Sequence, residues 1–338
     1  MGGDQAPLIV VEGAELSRKK FRNVRFIFFG DEQEISTVLD RFPKLKSRSD
    51  IHHTPDRVEN EEKPSVALRS GRNSSMRLAI NSVSEGQAHA VVSAGNTGAL
   101  MAMAKFVFKV LPGIKRPAIA SYFPTMKSGH GTVLLDLGAN IVCDARNLAE
   151  FSVLGAVFSR EVLKVQTPRV GILNVGEEEM KGNEQVKEAA QLLSRTQSKI
   201  SKYIGFVEGN DITNGSVDVV VTDGFTGNIT LKATEGLAKL MMQSIKDALK
   251  ASWLSWFGLA FMIPAYFAVK KRMDPRRYNG GVFMGLRGLC VKSHGGTDAF
   301  GFSNAINVSL KMVQSQFNDK VAQELETLAI SDNAKDNT

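Results

Sequence analysis

Val217-Asp218-Val219-Val220-Val221 runs without a break into Thr222-Asp223-Gly224-Phe225-Thr226-Gly227-Asn228, and a helical pattern follows from Leu231 to Ser252. The short β-branched run reads as a strand. The glycines and small polar residues after it read as a turn. Leu237, Leu240, Met241, Ile245 and Leu249 then recur at helical spacing. Strand, small polar loop and helix in that order form the unit of an α/β protein.

The unit recurs along the chain. Val24 to Phe29 leads into Gly30-Asp31, and Ala88 to Val92 into Ser93-Ala94-Gly95-Asn96-Thr97-Gly98. Thr132 to Leu135 leads into Asp136-Leu137-Gly138-Ala139-Asn140, and Arg169 to Leu173 into Asn174-Val175-Gly176. Strands that are apolar almost throughout are covered on both faces, which is the habit of parallel sheets. The expected fold is a doubly wound α/β architecture, a mostly parallel sheet with helices on both faces. Ala99 to Leu111 reads as a buried helix and Asn183 to Leu193 as an amphipathic one. No repeat or long linker divides the 338 residues, so residues 1–338 are expected to form a single α/β catalytic domain.

Open sheets of this kind bind ligands beyond the carboxyl ends of their strands. Glycine there lets backbone approach a ligand, and helix N-termini favour anions. Several such loops on one sheet edge predict an anionic ligand. Asn96 or Thr97 is also suited to cap the helix near Ala99. No G-x-x-x-x-G-K-[ST], no strand-borne G-x-G-x-x-G with its acidic partner and no G-x-S-x-G occurs. Mononucleotide kinases, simple NAD enzymes and α/β-hydrolases therefore lose their main support.

Hydrophobic residues make up 43% and charged residues 23%, as in an ordinary globular protein. The net charge of +7 fits an acidic partner, an anionic substrate or an anionic membrane surface. The basic residues are scattered without interleaved aromatics, which argues against nucleic acid. Two distant cysteines, Cys143 and Cys290, fit a reducing cytoplasm better than a disulfide framework. The five histidines form no pair at metal-ligand spacing, so no metal site is expected. The first residues show neither a secretory signal nor a myristoylation motif.

Ala251 to Val269 contains no charge, is flanked by Lys250 and Lys270-Lys271-Arg272, and includes Trp253, Trp256, Phe257, Phe261 and Tyr266. Its length is near the ~20 residues that span a bilayer. Spanning would divide one domain between two compartments. A buried core or dimer helix is a second reading. The favoured expectation is a projecting helical hairpin over 231–275, turning near Gly258 and Pro264. It would be a dimer element whose tip lies in the membrane interface through Trp253, Trp256, Phe257 and Phe261.

Several segments are familiar together. They are Met1-Gly2-Gly3-Asp4-Gln5-Ala6-Pro7, Asn73-Ser74-Ser75-Met76, Ser93 to Leu100, Arg116-Pro117-Ala118 and Leu135 to Asn140. Leu173 to Gly176, Lys181-Gly182-Asn183-Glu184, Val221 to Asn228, Tyr278 to Gly281 and Ser293-His294-Gly295 complete the set. In this order the chain resembles the PlsX family of phosphate acyltransferases. The resemblance implies transfer of a fatty acyl group from acyl carrier protein to inorganic phosphate for phospholipid synthesis. It implies a homodimer without metal or organic cofactor, peripherally bound at the inner face of the cell membrane, with a membrane glycerol-3-phosphate acyltransferase acting downstream. It implies a fold related to the isocitrate and isopropylmalate dehydrogenases and to phosphate acetyltransferases. The family's essential lysine falls on Lys181 and its essential asparagine on Asn228. Members carry a short apolar strand ahead of the Met1-Gly2-Gly3-Asp4 segment. The sheet is therefore expected to lack its first strand and leave a neighbour's edge unpaired.

The chemistry suits these residue types. Phosphate is already an anion, so no serine or cysteine nucleophile has to be made. What remains is to hold two anions together and to stabilise a tetrahedral oxyanion. Lys181 offers a compact charge and Asn228 an amide donor. Asn96, Thr97, Gly98 and Thr226 are expected to bind phosphate, and His294 to help protonate the leaving thiol. Three alternatives stay open: a phosphate acyltransferase of small acyl-coenzyme A, a decarboxylating dehydrogenase of related fold, and a non-enzymatic membrane-surface scaffold. The last leaves Lys181 and Asn228 without a role.

Overall fold

A computed structural model describes residues 2–127, 129–196, 198–250, 267–269, 271, 272 and 274–333. In chain order the elements begin with α1 (Leu8–Lys20), β1 (Phe26–Gly30), α2 (Glu32–Leu39), α3 (Pro43–Lys46), β2 (Ser49–His53), α4 (Pro64–Ser70) and α5 (Ser75–Ser84). They continue with β3 (Ala90–Ser93), α6 (Thr97–Phe108), β4 (Ala118–Pro124), β5 (Gly131–Leu135), α7 (Ala145–Val162), β6 (Arg169–Leu173) and α8 (Glu184–Arg195). Then come β7 (Lys202–Val207), α9 (Asp211–Asn214), β8 (Val219–Val221), α10 (Gly224–Lys250), β9 (Gly281–Met284), β10 (Leu289–Lys292), α11 (Ala299–Gln314) and α12 (Phe317–Asn333).

Eight strands form one sheet in the order β3-β10-β9-β4-β5-β8-β6-β7, and β1 and β2 form a separate parallel pair. The large sheet is mixed, with four of its seven pairings parallel. The pairs β3/β10, β5/β8, β8/β6 and β6/β7 are parallel, whereas β10/β9, β9/β4 and β4/β5 are antiparallel. Two short connections, 125–130 and 285–288, return the chain as hairpins, and hairpins join only antiparallel strands. As a result β3, β10 and β4 run one way and β9, β5, β8, β6 and β7 run the other.

The strands are β-branched because both faces are covered. Val133, Leu135, Val219, Val221, Val170 and Ile172 are buried beneath Phe151, Leu154 and Phe158 of α7. Helix α7 starts with a reciprocal cap between Asp144 and Asn147. It lies close to the sheet because of Gly155, where a Cβ would come within 2.4 Å of Val219 Cγ1. At the other end of the molecule the facing edges of β1 and β3 pair with no strand among the described residues. A cavity of about 850 Å³ lies there, lined by Phe26, Phe28, Val91, Ala94, Phe302 and Ile306, among others.

Helix α6 is less buried than its composition suggests. Phe106 is exposed and packs under the cations of Arg77 and Lys109. Helix α10 begins at Gly224 rather than near Leu231 and runs 27 residues. The tip of the expected hairpin, including Trp253, Trp256, Phe257 and Phe261, lies outside the described residues. Among the described residues no helix is long and apolar enough to cross a membrane.

Candidate functional site

The junction of β5, β8 and α10 is built around one buried carboxylate. Asp136 is fully buried, and Oδ1 accepts from the backbone N–H of Ile119, Gly138 and Ala139 at 2.9, 3.2 and 3.1 Å. Oδ2 accepts from Asn140 N at 2.7 Å and Asn140 Nδ2 at 2.9 Å. Burial pushes this carboxyl upward in pKa, against the pull of those donors. The result is a rigid corner over 136–140. Asp136→Asn would turn an NH₂ group toward two of these donors or remove their acceptor. It is expected to lower unfolding free energy by about 2–4 kcal/mol in urea titrations, the scale of two orphaned buried donors. An unchanged midpoint would deny the corner its structural part.

Helix α10 starts on that corner. Gly224 N donates to Asn140 O at 2.7 Å. Asp223 caps the helix, accepting from Thr226 N and from Thr226 Oγ1, both at 2.9 Å. Gly227 touches the corner most closely, since a Cβ there would lie 1.9 Å from Asp136 O. Thr226, Gly227 and Asn228 are thus helical, not loop residues. Glycine is tolerated in these turns because the helix is pressed against backbone. Thr226 spends its hydroxyl on the cap. Asn228 lies over Gly138, where a Cβ would sit 3.6 Å from both Asn228 Cβ and Cγ. Gly138 holds φ at +126°. The Asn228 side-chain amide is half-buried and has no hydrogen-bond partner among the described residues.

Lys181 stands on the same edge. It follows β6, which pairs in parallel with β8. Asn174 Nδ2 ties the intervening loop by donating to Gly176 O and Lys181 O, each at 3.1 Å. Asn183 then caps α8 by accepting from Val186 N at 2.9 Å. The Lys181 ammonium is exposed, 2.8 Å from Glu178 Oε2, and that hydrogen bond raises its pKa. It is therefore charged at neutral pH, and an exposed pair of this kind exchanges easily. Exposed Ile141, Val142, Val175, Met180 and Phe225 belong to the same loops and the start of α10.

The remaining predicted residues lie elsewhere. Asn96 caps α6 by accepting from Ala99 N at 3.0 Å, and its Nδ2 donates to the carbonyls of Glu59, Asn60 and Glu62. Its side chain is committed to structure. Thr97 and Gly98 open the same helix and are exposed. His294 is exposed after β10, with Nδ1 accepting from Gly296 N at 3.1 Å. These residues follow β3 and β10, which run opposite to β5, β8 and β6. The expected single edge is therefore two. From β3 to β8 there are five strand spacings, roughly 24 Å at ~4.8 Å each. Asn96, Thr97, Gly98 and His294 make no contact with Lys181, Thr226 or Asn228 among the described interactions.

Sequence reasoning gave no role to one residue on each edge. Lys292 ends β10 half-buried, donating to Ala94 O at 3.4 Å and to Ser293 O. Burial lowers its pKa to about 8, while Asp4 works the other way. Ahead of β4, Arg116 Nη1 donates to Val142 O at 3.1 Å. Lys292 carries no sequence signal, and Arg116 appears only within the familiar segment Arg116-Pro117-Ala118. Both cysteines are buried and free, and burial pushes the Cys143 thiol to about 12. No group of three or more His, Cys, Asp or Glu among the described residues is placed to hold a metal ion.

The family described as "Fatty acid synthesis protein" matches residues 1–320. A phosphate acyltransferase of Rhodospirillum centenum is 56% identical over 328 residues, covering 97% of this chain and 92% of that protein. One from Paramagnetospirillum magneticum is 53% identical over 328 residues, covering 97% and 93%. Among solved structures, a phosphotransacetylase from Streptococcus pyogenes superposes with a TM-score of 0.61 at 15% identity, covering 91% of this chain and 92% of that one. The EutD phosphotransacetylase from Staphylococcus aureus gives 0.58 at 15% identity, covering 90% and 99%. At that identity the structures speak for the fold alone. With a match over nearly its whole length and relatives above half identity, the chain belongs to the PlsX family of phosphate acyltransferases.

Proposed function

We propose that this protein transfers a long-chain fatty acyl group from acyl carrier protein to inorganic phosphate, supplying acyl phosphate for phospholipid synthesis. The observation that carries the reading is the uncommitted amide of Asn228, held over Gly138 on the sheet edge that also bears Lys181. A phosphate oxygen attacks the thioester carbon, the carbonyl π pair moves onto oxygen, and the C–S bond then breaks to release the carrier thiolate. Asn228 donates to the oxyanion while Lys181 exchanges Glu178 for phosphate. An acyl phosphate and a free carrier thiol result once the thiolate takes a proton from solvent, since His294 lies on the opposite edge. No protein nucleophile is needed, which agrees with two buried, unreactive cysteines.

Thr226 positions Asn228 through the helix cap. The exposed N-terminal residues Thr97 and Gly98 of α6, with His294, are assigned to the carrier-linked part of the substrate, and Asn96 holds their helix. In the same reading the protein is a cytoplasmic homodimer that rests on the inner face of the membrane through the 231–275 hairpin and passes its product to a membrane acyltransferase. A kinship of its sheet with the isocitrate and isopropylmalate dehydrogenases belongs to this proposal. The test is phosphate-dependent release of free carrier from palmitoyl-carrier protein. Wild type is expected to release it, and Lys181→Ala to do so at least about tenfold more slowly, as for a lost charged contact to a reacting anion. Release that ignores phosphate would sink the reading, and preference for acetyl-coenzyme A would favour the small-acyl alternative.

A further inference from the structure

Phosphate at neutral pH carries between one and two negative charges, and the Asn228 edge is not rich in free cations. Its acidic side chains include Asp136, Asp144, Glu177, Glu178, Glu179, Glu208 and Asp223. Lys115 lies 3.7 Å from Asp144 Oδ2, and Lys181 lies 2.8 Å from Glu178 Oε2. Arg116 has no carboxylate partner among the described residues. It uses Nη1 on Val142 O at 3.1 Å, which leaves Nε and Nη2 without a partner there.

The backbone that follows Arg116 is held at the 136–140 corner. Asn140 Nδ2 donates to Pro117 O at 2.7 Å, and Ile119 N donates to Asp136 Oδ1 at 2.9 Å. Asn140 O accepts from Gly224 N at 2.7 Å. The residue next to Arg116 is therefore bonded to the corner that seats α10 and faces Asn228 across Gly138. A guanidinium anchored by one nitrogen and open along its other edge suits two oxygens of one phosphate.

We propose that Arg116 is the second cation of the phosphate site, binding the ion beside Asn228 while Lys181 neutralises it from the β6 side. The assignment rests on the acyl transfer proposed above and adds a residue to it. Kinetics of the full chain with palmitoyl-carrier protein should show Arg116→Ala raising the KM for phosphate about 10- to 100-fold, with the KM for the acyl donor within about twofold of wild type. Arg116→Lys should recover part of the loss, and millimolar guanidinium should restore Arg116→Ala. Lys115→Ala serves as the neighbouring control and should leave both constants unchanged.

A residue that only anchors the Val142 loop would behave differently. Both constants and the melting temperature would move together, guanidinium would not help, and the assignment would be overturned. An unchanged phosphate KM in Arg116→Ala would overturn it too. Line broadening of the ³¹P signal of inorganic phosphate gives an arm independent of turnover. Broadening by wild type that is lost in Arg116→Ala supports the site, and equal broadening by both removes it. A wild type that binds phosphate through Arg116 yet releases no carrier would refute the acyl transfer and leave the binding residue standing.

Discussion

Asn228→Ala is expected to lower kcat by roughly two to three decades, the usual cost of one oxyanion donor, without loss of stability. The combination follows from what the side chain does in the folded protein. Its amide makes no hydrogen bond among the described residues, so truncation orphans no partner. Asn228 lies inside α10, where Ala is the better helix former by a few tenths of a kcal/mol. The amide is thus spare for folding and has work only when an oxyanion forms. Stopped-flow or steady-state release of carrier gives the rate, and urea denaturation gives the stability. A variant with wild-type turnover would take Asn228 out of the mechanism. One that unfolded early would show that the residue is structural.

Gly227→Ala should produce the opposite pairing, with activity and stability falling together. The added methyl would sit 1.9 Å from Asp136 O and 3.1 Å from Thr222 Cγ2, so the helix must move off the corner. Backbone lies on the other side of that contact and cannot rotate away. Overpacking of this kind costs about 1–3 kcal/mol, and only ~1 kcal/mol returns from better helix propensity. The next residue is Asn228, and a displacement of ~1 Å at a reacting group costs on the order of 100-fold in rate. Gly236→Ala, in the same helix with open space around it, is the internal control and should stabilise by up to ~1 kcal/mol. Gly227→Ala with normal kinetics and a normal denaturation midpoint would show that α10 is not seated as described.

The parts of the fold that the sequence displayed were those written in side-chain chemistry. The β-branched runs at 132–135, 169–173 and 217–221 became strands within two residues, and the capping chemistry at Asn183 began a helix where expected. Strand direction is a different matter. It depends on whether the chain returns by a hairpin or a helix, and the β4 segment Ala118 to Pro124 hides its strand among small residues and one proline. Missing β4 and β9 turned two opposed groups of loops into one imagined edge. At Asn96 two chemically equal uses competed, and the cap prevailed because Ala99 N and three loop carbonyls were all within reach. Asn228 was singled out only by resemblance to a family. Its environment, a helix pinned to a buried aspartate, was not, since nothing in Gly-Phe-Thr-Gly-Asn announces the backbone it will touch.

The 27 residues of α10 have a mechanical consequence. At 1.5 Å per residue the helix is about 40 Å long, clamped at one end where Gly224 and Gly227 meet the corner. Asn228 sits only ~6 Å from that fulcrum on the same rise. A rigid tilt of ~5° that swings the far end by ~3.5 Å would shift the amide by ~0.5 Å. The helix behaves as a reducing lever: whatever jostles its outer end reaches the reacting atoms at about a seventh of the amplitude.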